Sequence, residues 1–213
     1  MNILCFGDSN TWGLIPMVGS RYDFYDRWTN IAGSLLSEDE DLNVDVNIIE
    51  EGLNGRTADE VDHDEPFLNG RSYMTACVLS HRPVDVLIVM LGTNDVKFRY
   101  KKTAGEIAES IRRLVRDMEA LLAVTQMERV KVLLVSPKRL DDRVLTDESF
   151  DEEAIKKSIE LGPLLEKHAD KKGWAFLNAD VDEVTLGADG LHLSAEGHRN
   201  LGRLVYETIK RMI

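Results

Sequence analysis

Short apolar runs punctuate the chain at residues 3–6, 44–49, 84–91 and 130–135, with a weaker fifth at 175–177. Each is rich in Val, Ile and Leu, and turn-forming residues bound it. Near-continuous runs of this length suit strands buried on both faces of a parallel sheet. Between them lie stretches that read as helices, at about 27–36, 72–81, 103–124, 150–171 and 194–212. In the third of these, Ile107, Ile111, Leu114, Val115, Met118, Leu121 and Leu122 share one face, which predicts a helix lying over the sheet. Thr103 with Glu106, and Ser149 with Glu152, predict capping boxes, and Ser194 predicts a third N-cap. The alternation of strand and helix predicts an α/β fold, a three-layer α/β/α sandwich on a five-stranded parallel sheet.

No repeat, low-complexity tract or Pro/Gly-rich linker divides the 213 residues, so one domain is expected over 1–213. The 26 Lys and Arg against 38 Asp and Glu leave a net charge of −12, which argues against duplex nucleic acid or an anionic membrane as partner. Two cysteines, Cys5 and Cys77, make neither a disulfide framework nor a metal-ligand cluster, and both read as small buried hydrophobes. No signal-peptide pattern precedes the first apolar run, and no run approaches the roughly 18 residues of a membrane span. A cytoplasmic protein is the expectation.

Ligands of open parallel sheets bind beyond the carboxyl ends of the strands. The first strand is followed by Gly7-Asp8-Ser9 and the second by Glu50-Glu51-Gly52. Gly92-Thr93-Asn94-Asp95 follows the third, and Asp189-Gly190-Leu191-His192 precedes the last helix. A serine nucleophile needs a base, and the base needs a group that fixes its tautomer. Asp189 and His192, three apart around a glycine, can form that pair in a tight turn and act on Ser9. Gly52 offers an unobstructed backbone N–H, Asn94 a side-chain amide and Ser9 its own N–H, which together make an oxyanion hole. Asp8 and Asp95 are expected to tie their loops through backbone N–H groups. Trp12 is a candidate lining of an acyl or alcohol pocket, or packing for the first helix. The basic run 97–102 reads as a solvated lead-in to the next helix.

In these blocks the chain resembles the SGNH hydrolases, also called the GDSL-type esterase/lipase family. The stretches CFGDSNTWG, Arg27-Trp28, IIEEGLNGRT, Leu68-Asn69-Gly70 with Ser72-Tyr73, and MLGTND are most similar to its bacterial arylesterase/acyltransferase subgroup. The resemblance implies a flavodoxin-like sheet, a Ser9–His192–Asp189 triad, an oxyanion hole of Ser9, Gly52 and Asn94, and no metal or organic cofactor. It also implies that some relatives transfer acyl groups to alcohols and form homo-oligomers. Asn10 stands where the family motif usually has leucine, Glu50 where many members have asparagine, and residues 138–158 match little in the family.

The expected function is hydrolysis of small carboxylic esters, short-acyl, aryl or alkyl, through an acyl-Ser9 intermediate, with acyl transfer to alcohols as a companion activity. The same triad serves a carbohydrate deacetylase, or an acyl-CoA thioesterase drawn by the basic run 97–102. The non-enzymatic alternative is a flavodoxin-like binding module. Natural substrate and acyl length are not written in these residues.

Overall fold

Alternation along the first strand assigns the two faces of the sheet. In β1 (Asn2–Gly7), Leu4 and Phe6 enter one apolar core while Ile3 and Cys5 enter another, because successive strand side chains point opposite ways. All four are almost wholly removed from solvent, and burial of an Ile, Leu or Phe side chain contributes about 1.5–3 kcal/mol. The computed structural model describes residues 1–62 and 65–213. Its remaining strands are β2 (Asn47–Gly52), β3 (Val86–Met90), β4 (Lys131–Ser136) and β5 (Ala175–Asn178). All pairings are parallel, in the order β2-β1-β3-β4-β5.

The helices are α1 (Ser9–Trp12), α2 (Trp28–Glu38), α3 (Gly70–His81), α4 (Ala104–Thr125), α5 (Glu152–Lys172) and α6 (Ala195–Met212). Helices α2 and α6 bring Trp28, Leu36, Leu201 and Val205 onto the Ile3/Cys5 face. Helices α3, α4 and α5 bring Val78, Ile111 and Leu165 onto the Leu4/Phe6 face. Three layers result, as the pattern predicts. The chain leaves β1 for β2 on one side and then crosses to β3 on the other, so the strand order reverses at β1. In register, Gly7 lies opposite both Gly52 and Met90, which opens the loops after β1, β2 and β3 on one edge.

Three elements differ from the sequence reading. Strand β2 starts three residues later than the apolar run and continues through Glu50, Glu51 and Gly52. It is an edge strand, and those glutamates have side-chain partners, Arg21 and Arg27 for Glu50 and His81 for Glu51. The N-cap of α5 is Asp151, whose carboxylate accepts the Ala154 N–H at 2.8 Å. Ser149 does not cap; its own N–H goes to Asp147 at 2.8 Å. The four-residue α1 is also additional. By contrast, the Thr103–Glu106 capping box and the Ser194 N-cap are present.

Candidate active site

Strand β1 stops where packing leaves no room for a side chain. A Cβ on Gly7 would lie 2.1 Å from the Thr11 hydroxyl and 2.8 Å from the Met90 carbonyl. Asp8 then caps α1 by accepting the Asn10 N–H at 2.9 Å, and Ser9 becomes the first residue of that helix. Its Oγ lies 2.9 Å from His192 Nε2, and His192 Nδ1 lies 2.8 Å from Asp189 Oδ2. The other Asp189 oxygen accepts the backbone N–H groups of Leu191 and His192 at 3.0 and 2.9 Å. With Nδ1 as donor to Asp189, the network assigns Nε2 as the acceptor facing Ser9.

Burial opposes ionisation of Asp189. The hydrogen bonds from the His192 ring and from the two backbone N–H groups outweigh it, and hold the carboxyl below its ordinary range. The turn itself requires Gly190, which sits at φ +66°, and a Cβ there would come 2.4 Å from Asp141 Oδ1. Asp141 also donates its N–H to the Gly190 carbonyl at 3.3 Å. The unfamiliar segment 138–158 thus buttresses the Asp189–His192 turn, through the 3₁₀ turn Asp142–Thr146 with Leu140, Val144 and Phe150 buried beneath.

Gly52 ends β2 against the backbone of α1, where a Cβ would lie 2.2 Å from the Trp12 nitrogen. Only glycine permits that approach. Asn94 is buried and donates one Nδ2 hydrogen to the Arg56 carbonyl at 3.2 Å. The adjacent Asp95 accepts the Ala58 N–H at 2.8 Å and its own backbone N–H, so it ties its loop to the one after β2. Burial, with Glu60 and Asp8 nearby, pushes the Asp95 carboxyl up to about 7. Burial likewise raises Asp8, against the opposing hydrogen bond from Asn10.

Two residues that depart from the family pattern have structural partners. Asn10 Oδ1 accepts the Leu193 N–H at 2.8 Å, and its Nδ2 donates to the Leu191 carbonyl at 3.4 Å, so it grips the backbone on both sides of His192. The exchange of leucine for asparagine was the available signal. Glu50 accepts from Arg21, Arg27 and Thr29, fastening the end of β2 to the segment after α1. Trp12 is placed apart from the triad's hydrogen bonds. The Arg21 guanidinium lies 5.3 Å from its ring centroid, and Arg21 Nε donates to its carbonyl at 2.6 Å. In the basic run, Arg99 pairs with Asp62 at 2.7 Å and Lys102 with Glu60 at 2.5 Å.

Among the described residues, Glu51, Cys77 and His81 place metal-competent donor atoms within 4.8 Å of one another. His81 Nε2 lies 2.7 Å from Glu51 Oε1, which also accepts from Tyr73 at 3.3 Å, and burial pushes the Cys77 thiol up to about 12. Among the described residues no helix is long and apolar enough to cross a membrane.

A family model described as GDSL-like lipase/acylhydrolase matches residues 5–199. Among solved structures, the chain is similar to Est24, a carbohydrate acetylesterase from Sinorhizobium meliloti, with 36% identity, 100% of this chain and 99% of that chain covered, and a TM-score of 0.89. It is also similar to the aryl esterase of M. smegmatis, with 33% identity, 100% and 99% coverage, and a TM-score of 0.90. A search of curated protein sequences finds no match.

Proposed function

The chain belongs to the GDSL-like lipase/acylhydrolase family, and we propose that it hydrolyses small carboxylic esters through an acyl-Ser9 intermediate. As a carboxylic ester hydrolase by family, it is not the non-catalytic binding module. The observation that carries the mechanism is the continuous chain Ser9–His192–Asp189, with contacts of 2.9 and 2.8 Å. Ser9 Oγ attacks the ester carbonyl while His192 Nε2 takes its proton. The tetrahedral oxyanion is held by the N–H groups of Ser9 and Gly52 and by the Asn94 amide. Collapse expels the alcohol, which leaves with the proton from His192. Water, or a second alcohol, then loses a proton to His192 as it attacks the acyl carbon, and Ser9 is regenerated.

The likeness to a carbohydrate acetylesterase at 36% identity supports acetylated sugars as a second substrate class beside aryl and alkyl esters. The acyl-CoA reading is weakened, because two of the four cations in the run 97–102, Arg99 and Lys102, are paired with acidic partners. The buried free thiols Cys5 and Cys77 support a cytoplasmic setting, and the subgroup likeness supports homo-oligomers. Rates on p-nitrophenyl acetate and on acetylated monosaccharides, for wild type and Ser9→Ala, test the proposal. Loss of both activities in the variant is expected. Equal rates in the two proteins would overturn it.

A further inference from the structure

We infer that Arg56 is a positioning residue that aims the oxyanion donors at the reacting carbonyl, a role that rests on the esterase reading above. Its Nη1 donates to the Gly7 carbonyl at 3.0 Å and to the Glu51 carbonyl. A carbonyl and the next residue's N–H share one rigid plane. Holding Glu51 O therefore fixes the direction of the Gly52 N–H, and holding Gly7 O fixes the peptide that leads into Asp8 and Ser9. The Arg56 backbone carbonyl accepts from Asn94 Nδ2 at 3.2 Å, which orients that amide and leaves its second hydrogen available. One residue thereby touches the support of the Gly52 and Asn94 donors directly, and of the Ser9 donor one peptide removed.

The guanidinium itself lies against two aromatic rings. Its carbon lies 4.2 Å from the Phe6 ring centroid and 5.3 Å from that of Tyr73, and the residue is 3% exposed. Burying a guanidinium against carbonyl oxygens is costly, and Nε has no hydrogen-bond partner among the described residues. What the cation supplies is a pair of charge-assisted bonds, which polarise the peptides they hold and strengthen their N–H groups as donors. Lysine carries the charge but cannot stack as a plane or divide its bonds in the same geometry.

The test is p-nitrophenyl acetate kinetics for wild type, Arg56→Lys and Arg56→Met, each also on an Asn94→Ala background, with circular dichroism melts. Arg56→Met is expected to lower kcat by about tenfold to a hundredfold with KM changed by less than about threefold. The same substitution on the Asn94→Ala background is expected to cost distinctly less, because the two act as one unit. Arg56→Lys is expected to fall between. Folded variants with kcat within about twofold of wild type, or equal losses on both backgrounds, would overturn the inference. So would failure of both variants to fold, which would assign Arg56 to the fold alone. Full activity in Ser9→Ala would instead defeat the esterase reading; an inactive Ser9→Ala beside fully active Arg56 variants would defeat only the role of Arg56.

Discussion

Asn10 accepts the Leu193 N–H at 2.8 Å, a bond that joins the helix of the nucleophile to the turn of the base. Because Asn10 also donates to Leu191, the position of His192 is set from the residue next to Ser9. Asn10→Leu, which restores the usual family residue, leaves the buried Leu193 N–H unpaired. That omission costs about 1–3 kcal/mol of stability. A roughly tenfold loss in kcat is expected as His192 drifts from Ser9, and steady-state kinetics with a urea melt checks both.

Asp189 is held below the usual carboxylate range, so it stays ionised to lower pH than a free aspartate. Its task is to fix the His192 tautomer and balance the imidazolium. Asp189→Asn keeps the shape and presents the wrong hydrogen-bonding group. A loss of about 10⁴ in kcat is expected, the magnitude known for this exchange in serine proteases. A kcat within about tenfold of wild type would remove Asp189 from the triad.

Asp95 titrates near 7 in the folded protein against an ordinary 3.8, because it is buried beside Glu60 and Asp8. A raised carboxyl binds its proton more tightly when folded, so its stabilising contribution is complete below pH 3.8 and is lost as pH rises through 7. His198, buried and lowered to about 3, has the opposite sign: its neutral form favours folding above its ordinary 6.5, and that contribution is lost as pH falls toward 3. The two slopes offset each other in wild type. Asp95→Asn removes one, and relative to wild type it is expected to gain on the order of 3 kcal/mol between pH 4 and 7. Urea midpoints across that range check the trend.

Glu50 is the shared acceptor of Arg21 and Arg27, and Arg27 is almost wholly buried. Glu50→Ala strands a guanidinium in the interior, which costs about 3–5 kcal/mol. A large drop in denaturation midpoint is expected, and an unchanged midpoint would show that the cluster is energetically neutral.

The sheet was legible where its strands are central. Strands β1, β3 and β4 bury both faces, so their apolar runs are continuous, whereas β2 at the edge was misplaced because Glu50 and Glu51 look like a loop. Ser149 and Asp151 are both good caps two residues apart, and only the Asp147 contact to the Ser149 N–H decides between them. In the site, the short Asp189–His192 spacing made the pair visible. The grips of Asn10 on the His192 turn and of Arg56 on three segments join residues far apart in the chain, which no local pattern records.

Labelling with a fluorophosphonate followed by peptide mapping tests the central assignment most directly. The account predicts a single adduct on Ser9, loss of p-nitrophenyl acetate turnover in step with labelling, and no adduct in His192→Ala on the same timescale. An adduct on another residue, or turnover that survives complete modification of Ser9, would contradict it.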